Sequence, residues 1–343
     1  MKQSTQQGYI LVLTLMILSI AVIVVTRFAL RGTVHVHFDK TMIEREQAKQ
    51  VALGGIQVAL AQLSLQESST GGQQKTNSTE FYKKVVPALN RFQDYKLVKD
   101  VDGIDGTLSL AISCEQGKID LNQLFPVEDA QFDLEKQKEL KKSMQNFFAQ
   151  IKKVMKDKDL FSVFEKFIKK QQFLLNDATE LMTIPEFQKL FLTKIFYEPP
   201  TKDSSKKRPL YLMDIFTVFS DKKNIQPWFL SDSLCGLLGL KRAEYNDQEK
   251  REKLVADVLT IKNLNSPEQK WDKQLQPLYG KDFKSLPKDF QMLFDFSFEP
   301  TVFSVLSYGT VGAITQKIFA IIEKRSSSQH GDAPYALTKL YWL

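Results

Sequence analysis

The sequence predicts an α+β fold in which a long N-terminal helix leads into a β-sheet head, and a large, mostly helical insertion interrupts that sheet. Three observations predict it. A nearly uncharged apolar run begins close to the start of the chain. Alternating apolar residues indicate strands near residue 110 and again over 301–343. Helical spacing of apolar residues dominates 128–295, and 343 residues, 43% of them hydrophobic, suffice for a membrane helix and about two soluble cores.

The apolar run spans residues 9–26. It carries no charged side chain, and at about 1.5 Å per residue it forms a helix of roughly 27 Å, which is enough to cross the hydrocarbon core of a bilayer. A cleavable secretory signal has a shorter apolar core followed by small residues, whereas Arg27 and Phe28 follow this run. We therefore expect the run to stay in the mature protein as a single membrane anchor.

Residues 1–8 form a short polar leader before the anchor. Gly8 ends the leader and Tyr9 opens the apolar run. This arrangement resembles the leader of the type IV prepilins, whose peptidase cuts after a glycine and leaves an aromatic residue first in the mature chain. The resemblance implies processing by a prepilin peptidase at Gly8 and Tyr9. Gln7 stands where the prepilins usually have Lys or Arg, and Leu13 stands where they usually have glutamate.

The helix is expected to continue well past the anchor. The sequence has no proline between Phe28 and Leu65, and its apolar residues recur at spacings of three and four, as one helix face requires. Residues 9–65 are therefore predicted to form a transmembrane and stem helix of roughly 85 Å if unbroken, with bends at Gly32 and at the Gly54-Gly55 pair. We assign an interaction face for partner subunits to four stem residues: Val51, Ile56, Leu60 and Leu63.

Charges beside the anchor bear on its orientation. Arg27 and Arg31 on the far side outnumber Lys2 on the near side, and the positive-inside rule places the side with more Lys and Arg in the cytoplasm. Prepilins have the opposite orientation, and large soluble domains can be translocated regardless of charge. We expect the prepilin orientation. The charge count leaves open an alternative, a basic inner-membrane signal-anchor protein whose cytoplasmic head binds nucleic acid or lipid headgroups.

Basic residues are concentrated in one segment. The chain has a net charge of +7, and residues 134–170 contain eleven lysines and five acids. Apolar residues recur there at helical spacing, so we expect the lysines on the solvated face of core helices. Lysine also lacks the bidentate fork that arginine offers to phosphates and bases, and no nucleic-acid partner is expected. The predicted buried residues are Leu140, Met144, Phe147, Phe148, Ile151, Met155, Leu160, Phe161, Phe164, Phe167 and Ile168.

Residue types that catalyse reactions or bind metals are sparse. The chain has three histidines, and His35 and His37 point away from each other on a helix because they are two residues apart. Asp100, Asp102 and Asp105 lie in a glycine-bearing segment that lacks the full calcium-loop pattern, which favours a hairpin turn. The sequence has no phosphate-binding or nucleophile motif. We predict no catalytic, cofactor-binding or metal-binding residues, and no enzyme.

The two cysteines, Cys114 and Cys235, lie far apart in the sequence. Free cysteine is among the residue types most often buried. We favour two buried thiols, while a disulfide in an oxidising compartment stays open.

A more specific resemblance covers most of the chain. The segment SLAISCEQGKIDLNQLFP (109–126) resembles the strand, turn and G-K-I-N-L-N signature of the type II secretion minor pseudopilin K family, with Asp120 in place of the first Asn and with Asn122 retained. Three further segments resemble that family in the same order: 176–191, 210–240 and 303–325. The same family lacks the glutamate that Leu13 replaces.

This resemblance implies a minor pseudopilin in a hetero-oligomeric tip complex with other minor pseudopilins. It implies a methylated N-terminus in the cytoplasm, a periplasmic head, a single-pass inner-membrane anchor and no catalysis. Members of the family have acidic loops that are associated with calcium, and this chain largely lacks those loops. Calcium binding by this chain therefore stays open, and its ligands are unknown. The implied order is a leader (1–8), a transmembrane and stem helix (9–65), the first part of a pilin-like β head (66–127), a helical insertion of two SAM-like modules with a break near 198–209 (128–295), and closing strands (296–343).

Overall fold

The computed structural model describes most of the chain. The described residues are 4–64, 81–83, 85–124, 141–149, 151, 160–170, 174–199, 209–220, 225–241, 248–262, 275–286, 288–291, 293–295, 297–298, 300–325 and 334–343.

One helix, here called the stem helix, runs without interruption over Ser4–Ser64. The predicted bends at Gly32 and at Gly54-Gly55 do not interrupt it. Gly55 has a different role, because an added Cβ would collide with the side chain of Ser307 and lie 2.7 Å from Cδ1 of Leu108. Glycine at this position therefore lets the stem helix approach the sheet closely.

The sheet has five antiparallel strands in the order β1-β2-β5-β6-β7. A separate pair, β3 and β4, is parallel and short. The central pairing joins β2 to β5 although almost two hundred residues separate them, so the insertion leaves the sheet after β2 and returns at β5. The strands are β1 (Phe92–Leu97), β2 (Gly106–Cys114), β3 (Ile119–Asp120), β4 (Phe216–Thr217), β5 (Val302–Val311), β6 (Ile314–Lys324) and β7 (Tyr335–Trp342).

The insertion is mostly helical in its described residues, as the sequence predicts. Most of its helices are short, and 3-10 helices lie among them at Ala178–Thr183, Pro227–Phe229 and Phe283–Ser285. Residues 141–149 are helical, and of the predicted buried residues Met144, Phe147, Phe148, Ile151, Leu160, Phe161 and Phe164 are buried and Phe167 and Ile168 are half-buried. Leu140, Met155 and most of the break at 198–209 fall outside the described residues, and the division into two modules stays a prediction. The helices that follow β3 are Leu121–Leu124, Leu160–Lys170, Pro185–Phe191, Leu212–Ile215, Asp232–Leu238, Gln248–Lys262, Leu275–Tyr279 and Lys288–Gln291, and the short helix Lys99–Asp102 lies between β1 and β2.

The sheet is the middle of three layers. On one face Ser307 of β5 donates a hydrogen bond from Oγ to the backbone oxygen of Ala52 in the stem helix, at 2.8 Å. On the other face the neighbouring Tyr308 donates from its hydroxyl to the backbone oxygen of Tyr197 in the insertion, at 2.7 Å. Because successive side chains of a strand point to opposite faces, β5 contacts both outer layers.

The stem face assigned to partner subunits is buried in this chain's own head. Val51, Ile56 and Leu63 are buried, and Leu60 is half-buried and packs against the core. The physical reason is that the apolar stripe of an amphipathic helix packs against the core of its own protein. Here the sheet of the head lies against that stripe. The assignment of these residues to a partner interface is therefore wrong for the three buried ones.

Candidate membrane-anchoring and assembly surfaces

The N-terminal half of the stem helix exposes its apolar side chains. It contains a segment long and apolar enough to cross a membrane, and none of that window is buried inside the protein. Leu13 is among the exposed residues. Gly8 and Tyr9 lie within the helix. The exposed apolar surface continues beyond the predicted 9–26 anchor, at Phe28, Leu30, Val36, Phe38, Met42 and Ile43.

Two polar side chains of the anchor are satisfied by the helix itself. Ser19 donates from Oγ to the backbone oxygen of Leu15 at 2.8 Å, and Thr26 donates from Oγ1 to that of Val22 at 2.7 Å. A hydroxyl paired to the preceding turn needs no water. These residues are therefore compatible with a hydrocarbon environment.

A buried ion pair lies where the insertion leaves the sheet. Lys118 Nζ is 2.5 Å from Glu115 Oε1, and both side chains are almost fully buried. Lys118 also donates to Ser304 Oγ of β5 at 2.9 Å, and Thr217 of β4 donates its hydroxyl to the other carboxylate oxygen of Glu115. The pair thus joins the sheet to the insertion. The sequence did not predict it, because the segment from Ile112 to Leu121 is mostly polar and contains three charged residues, as a solvated turn would.

The residues that carry the family resemblance form the backbone junction at the same place. An added Cβ at Gly117 would collide with the carbonyl group of Phe229, and the Gly117 oxygen accepts a hydrogen bond from Ser231 N at 3.3 Å. The Asn122 side chain donates to the Leu175 oxygen and accepts from the Leu175 nitrogen, each at 2.9 Å. The signature is therefore a structural device that docks the insertion on the sheet.

A second buried carboxylate lies close to the ion pair. Desolvation by burial raises the pKa of Asp214, while nearby Lys118 opposes that shift and Asp232 adds to it. The Asp214 carboxylate accepts a hydrogen bond from Ser233 N at 2.7 Å. Asp214 therefore ties its own helix to Asp232–Leu238 within the insertion.

Both cysteines are free and buried, which confirms the prediction of two buried thiols. Burial raises the pKa of the Cys114 thiol well above its ordinary value. Since the thiolate is the reactive form, Cys114 is protected from oxidation and from metal binding.

The aspartates of the predicted hairpin turn stabilise its backbone. They lie between β1 and β2, where Asp102 accepts from Val98 N at 2.8 Å and Asp105 accepts from Lys99 N at 2.9 Å. The turn closes at Gly103, whose φ of 76° favours glycine. The hairpin is therefore confirmed. Within the described ranges no group of three or more His, Cys, Asp and Glu residues could hold a metal ion.

The described lysines of the basic segment lie on the solvated side of their helices. Lys141 and Lys169 both pair with Glu165, at 2.5 and 3.1 Å. These hydrogen bonds, that of Lys141 first, lower the pKa of the Glu165 carboxyl. The arrangement agrees with the prediction that these lysines lie on the solvated face of core helices.

The chain matches no protein-family model, and it matches none of the curated proteins. It is similar in structure to a chain in the crystal structure of the GspK-GspI-GspJ complex from the enterotoxigenic Escherichia coli type 2 secretion system. The two chains are 13% identical, the match covers 89% of this chain and 98% of the other, and the TM-score is 0.47. At that level the similarity assigns neither a family nor an activity to the present chain.

Proposed function

We propose that this chain is a minor pseudopilin of a type II secretion pseudopilus, or of a related type IV pilus-like filament, and that it contributes to assembly and protein secretion. The observation that carries the proposal is the single helix Ser4–Ser64. Its described apolar side chains between Val12 and Ile43 are exposed, and one face of residues 48–63 is buried against an antiparallel sheet. A subunit built this way can pass from a membrane into a filament without refolding, because its head packs on its own stem.

The signature at residues 117–122 supports the same proposal. Its resemblance to the K-type minor pseudopilins lies in residues that dock the insertion on the sheet, namely Gly117 and Asn122. Residues that make structural contacts of this kind are expected to recur in proteins that share the fold. The retained Asn122 supplies both a donor and an acceptor to the Leu175 backbone from one carboxamide group.

We place the subunit at the tip of the filament. In major pilins a glutamate at the fifth mature position is thought to pair with the N-terminal amine of a neighbouring subunit, which would otherwise be a lone charge in apolar surroundings. Cleavage after Gly8 would make Leu13 the fifth mature residue. A subunit without that carboxylate suits a position where no further amine needs a partner.

The proposal places Gly8 and Tyr9 at the processing site of a prepilin peptidase and the head in the periplasm, anchored in the inner membrane by residues 9–26. It assigns no catalytic residue and no cofactor. The aspartates that come closest to a calcium loop, Asp102 and Asp105, are occupied with backbone amides.

The charge distribution favours a second candidate function. Arg27 and Arg31 outnumber Lys2 across the anchor, as in a signal-anchor protein with a cytoplasmic head. Protease added to spheroplasts separates the two candidates. The pseudopilin proposal expects loss of the head without lysis, whereas the signal-anchor candidate expects the head to survive until the membrane is opened.

Partner binding tests the proposed function itself. Full-length protein extracted in detergent should co-elute, at defined stoichiometry, with the other pilin-like proteins of the same genome. Self-polymerisation without those proteins, or DNA binding with a steep salt dependence, would favour the second candidate.

A further inference from the structure

The helix Gln248–Lys262 packs into the core on one face and borders a groove on another. Val258 and Ile261 are buried on the core face. The groove has a volume of about 470 Å³, which lies within the range of ligand-binding sites. Residues of the helix line it at spacings of three and four, as one helix face requires. They are Gln248, Arg251, Glu252, Val255, Ala256 and Leu259.

The other wall of the groove is formed by the segment that precedes β1. Lys83 and Pro87 line the groove from that side. Val255 is buried, and Pro87, Ala256 and Leu259 add further apolar surface. The lining is therefore mainly apolar, and it also contains charged side chains from both walls.

The two cations of the groove have no anionic partner. Lys83 and Arg251 form no ion pair with any residue that the structure describes. The Nε atom of Arg251 is buried and has no hydrogen-bond partner among those residues. The acid that lines the groove, Glu252, accepts a hydrogen bond from Gln248 at 3.1 Å. An anionic acceptor in the groove would therefore satisfy a buried donor and balance the charge.

The strand β5 shows how the head is oriented relative to the anchor. An added Cβ on Gly312, just after β5 ends, would lie 2.8 Å from Cδ of Glu44. Earlier in β5, Ser307 hydrogen-bonds to Ala52, which is farther along the stem helix. β5 therefore begins near the end of the stem helix that is remote from the anchor.

The groove lies at this remote end of the head. The ring centre of Phe81 is 6.3 Å from that of Phe303, the second residue of β5. Next to Phe81, Tyr82 lies under Lys262, whose Nζ is 4.4 Å from the Tyr82 ring centre, and Lys262 ends the helix that lines the groove. The stem helix extends roughly 57 Å beyond the anchor. A lipid of the bilayer around the anchor therefore does not reach the groove.

We propose that the groove binds an extended peptide segment of a partner protein, one that is apolar and carries a carboxylate for Arg251 and Lys83. From Gln248 to Leu259 the groove follows the helix for about 16 Å, which is the length of about five extended residues. Arginine suits this role because its guanidinium binds a carboxylate through two parallel hydrogen bonds. The inference goes beyond the proposed function and does not depend on it, since the groove belongs to the head alone.

Other occupants match the groove less well. Nucleic acid needs a series of cations along its backbone, whereas this lining is mainly apolar and includes Glu252. A neutral apolar segment would cover Arg251 and Lys83 without supplying a counter-charge, which is unfavourable. An acidic apolar peptide satisfies both the apolar surface and the two cations.

Peptide binding to the full-length chain in phosphatidylcholine nanodiscs tests the proposal. The probes are short fluorescein-labelled peptides that alternate glutamate with leucine, phenylalanine or valine, and matched peptides carry glutamine or lysine in place of glutamate. Fluorescence anisotropy should show binding of glutamate peptides. Their glutamine counterparts should bind about tenfold or more weakly, because a hydrogen bond to a charged group is lost, and the lysine peptides should not bind.

Variants of the groove connect this binding to the site. Arg251→Met should weaken binding of the glutamate peptides by about tenfold or more, and Arg251→Lys should retain part of it. The matched control is Lys253→Met, which removes an exposed cation of the same helix outside the groove and should leave binding unchanged. Ala256→Trp fills the groove at an exposed position and should abolish binding of every peptide.

Four outcomes would overturn the proposal. Three come from the binding assay: no binding of any glutamate peptide, equal binding of glutamate and glutamine peptides, or equal losses in Lys253→Met and Arg251→Met. The fourth comes from a photoreactive amino acid in place of Ala256, if it cross-links in cells only within this chain or to a second copy of it. None of these outcomes decides the proposed function, which co-elution with the pilin-like proteins tests separately.

Discussion

The hydroxyl of Ser307 on β5 donates a hydrogen bond to the backbone oxygen of Ala52 in the stem helix, at 2.8 Å. A carbonyl inside a helix already accepts a hydrogen bond from the following turn, so this second bond fixes the helix against the central strand at one register. Gly309, two residues along β5, allows the same close approach, because an added Cβ would lie 2.6 Å from the nitrogen of Ala52. The membrane anchor and the head are thereby joined as one body.

Paired glycine variants test this close approach. Gly55→Ala should destabilise the head by about 1–3 kcal/mol, because its Cβ would collide with Ser307. Gly54→Ala should stabilise the helix by about 1 kcal/mol, since nothing lies within 4 Å of its added Cβ. Urea unfolding of the detergent-extracted chain measures both. Equal effects at the two positions would contradict the packing described here.

Because its ion pair is buried, we expect a substitution of Lys118 to lower the stability of the head strongly. Lys118→Met leaves Glu115 buried without its cation and should cost about 3–5 kcal/mol of stability. The matched control is Lys141→Met, which removes an exposed ion pair with Glu165 and should cost at most about 1 kcal/mol. Adding Glu115→Gln to Lys118→Met should recover part of the loss, since the uncompensated charge is then gone.

Asp214 predicts a pH dependence. Its pKa is raised in the folded state by burial, against the opposing effect of Lys118 and with a further contribution from Asp232. The folded protein therefore binds this proton more tightly than the unfolded chain, and stability falls as the pH rises from about 4 through the folded pKa. Asp214→Asn should remove this component, so the variant should gain relative to the unaltered chain between acidic and neutral pH. Thermal unfolding across that range measures it, with the exposed Asp100→Asn as control.

A substitution of Asn122 tests how strongly its hydrogen bonds hold the insertion in place. Asn122→Ala removes two hydrogen bonds to the Leu175 backbone and should cost about 1–3 kcal/mol, because the backbone groups lose their partner. Amide hydrogen exchange compares the variant with the unaltered chain. The substitution should speed up exchange more in the insertion than in β5 and β6. Uniform loss of protection over the whole head would argue against a separable junction.

The strand order predicts which truncation is tolerated. A chain ending at residue 300 lacks β5, which lies between β2 and β6, so it should not form a stable head. A chain lacking residues 1 to about 30 keeps the entire sheet and should stay folded and leave the membrane. Limited proteolysis compares the two, and a protease-resistant monomer from the first truncation would contradict the architecture.

Periodic and extreme features of the sequence predicted much of the fold. The apolar anchor, β5, β6 and β7 have strong period signals and lie where they were expected. The edge strand β1 was missed, because FQDYKL alternates weakly and no residue of it is fully buried. Side chains that are not fully buried carry less of the packing that produces a pattern.

The candidate site was harder to predict for a physical reason. The stripe of Val51, Ile56 and Leu63 is correctly apolar, but periodicity cannot tell whether a helix face is covered by its own chain or by a partner. The hydrogen bond between Thr217 and Glu115 and that between Lys118 and Ser304 depend on contacts between residues about a hundred or more apart. Only the three-dimensional arrangement shows them.

The mass of the N-terminus extracted from the membrane tests the central claim most directly. The chain is expressed with and without an active prepilin peptidase, and Gly8→Val serves as the uncleavable control. We expect the peptidase to remove the first eight residues and to leave a methylated Tyr9 as the N-terminus, and we expect the variant to stay intact. Accumulation of the uncleaved Met1 form beside an active peptidase would contradict it.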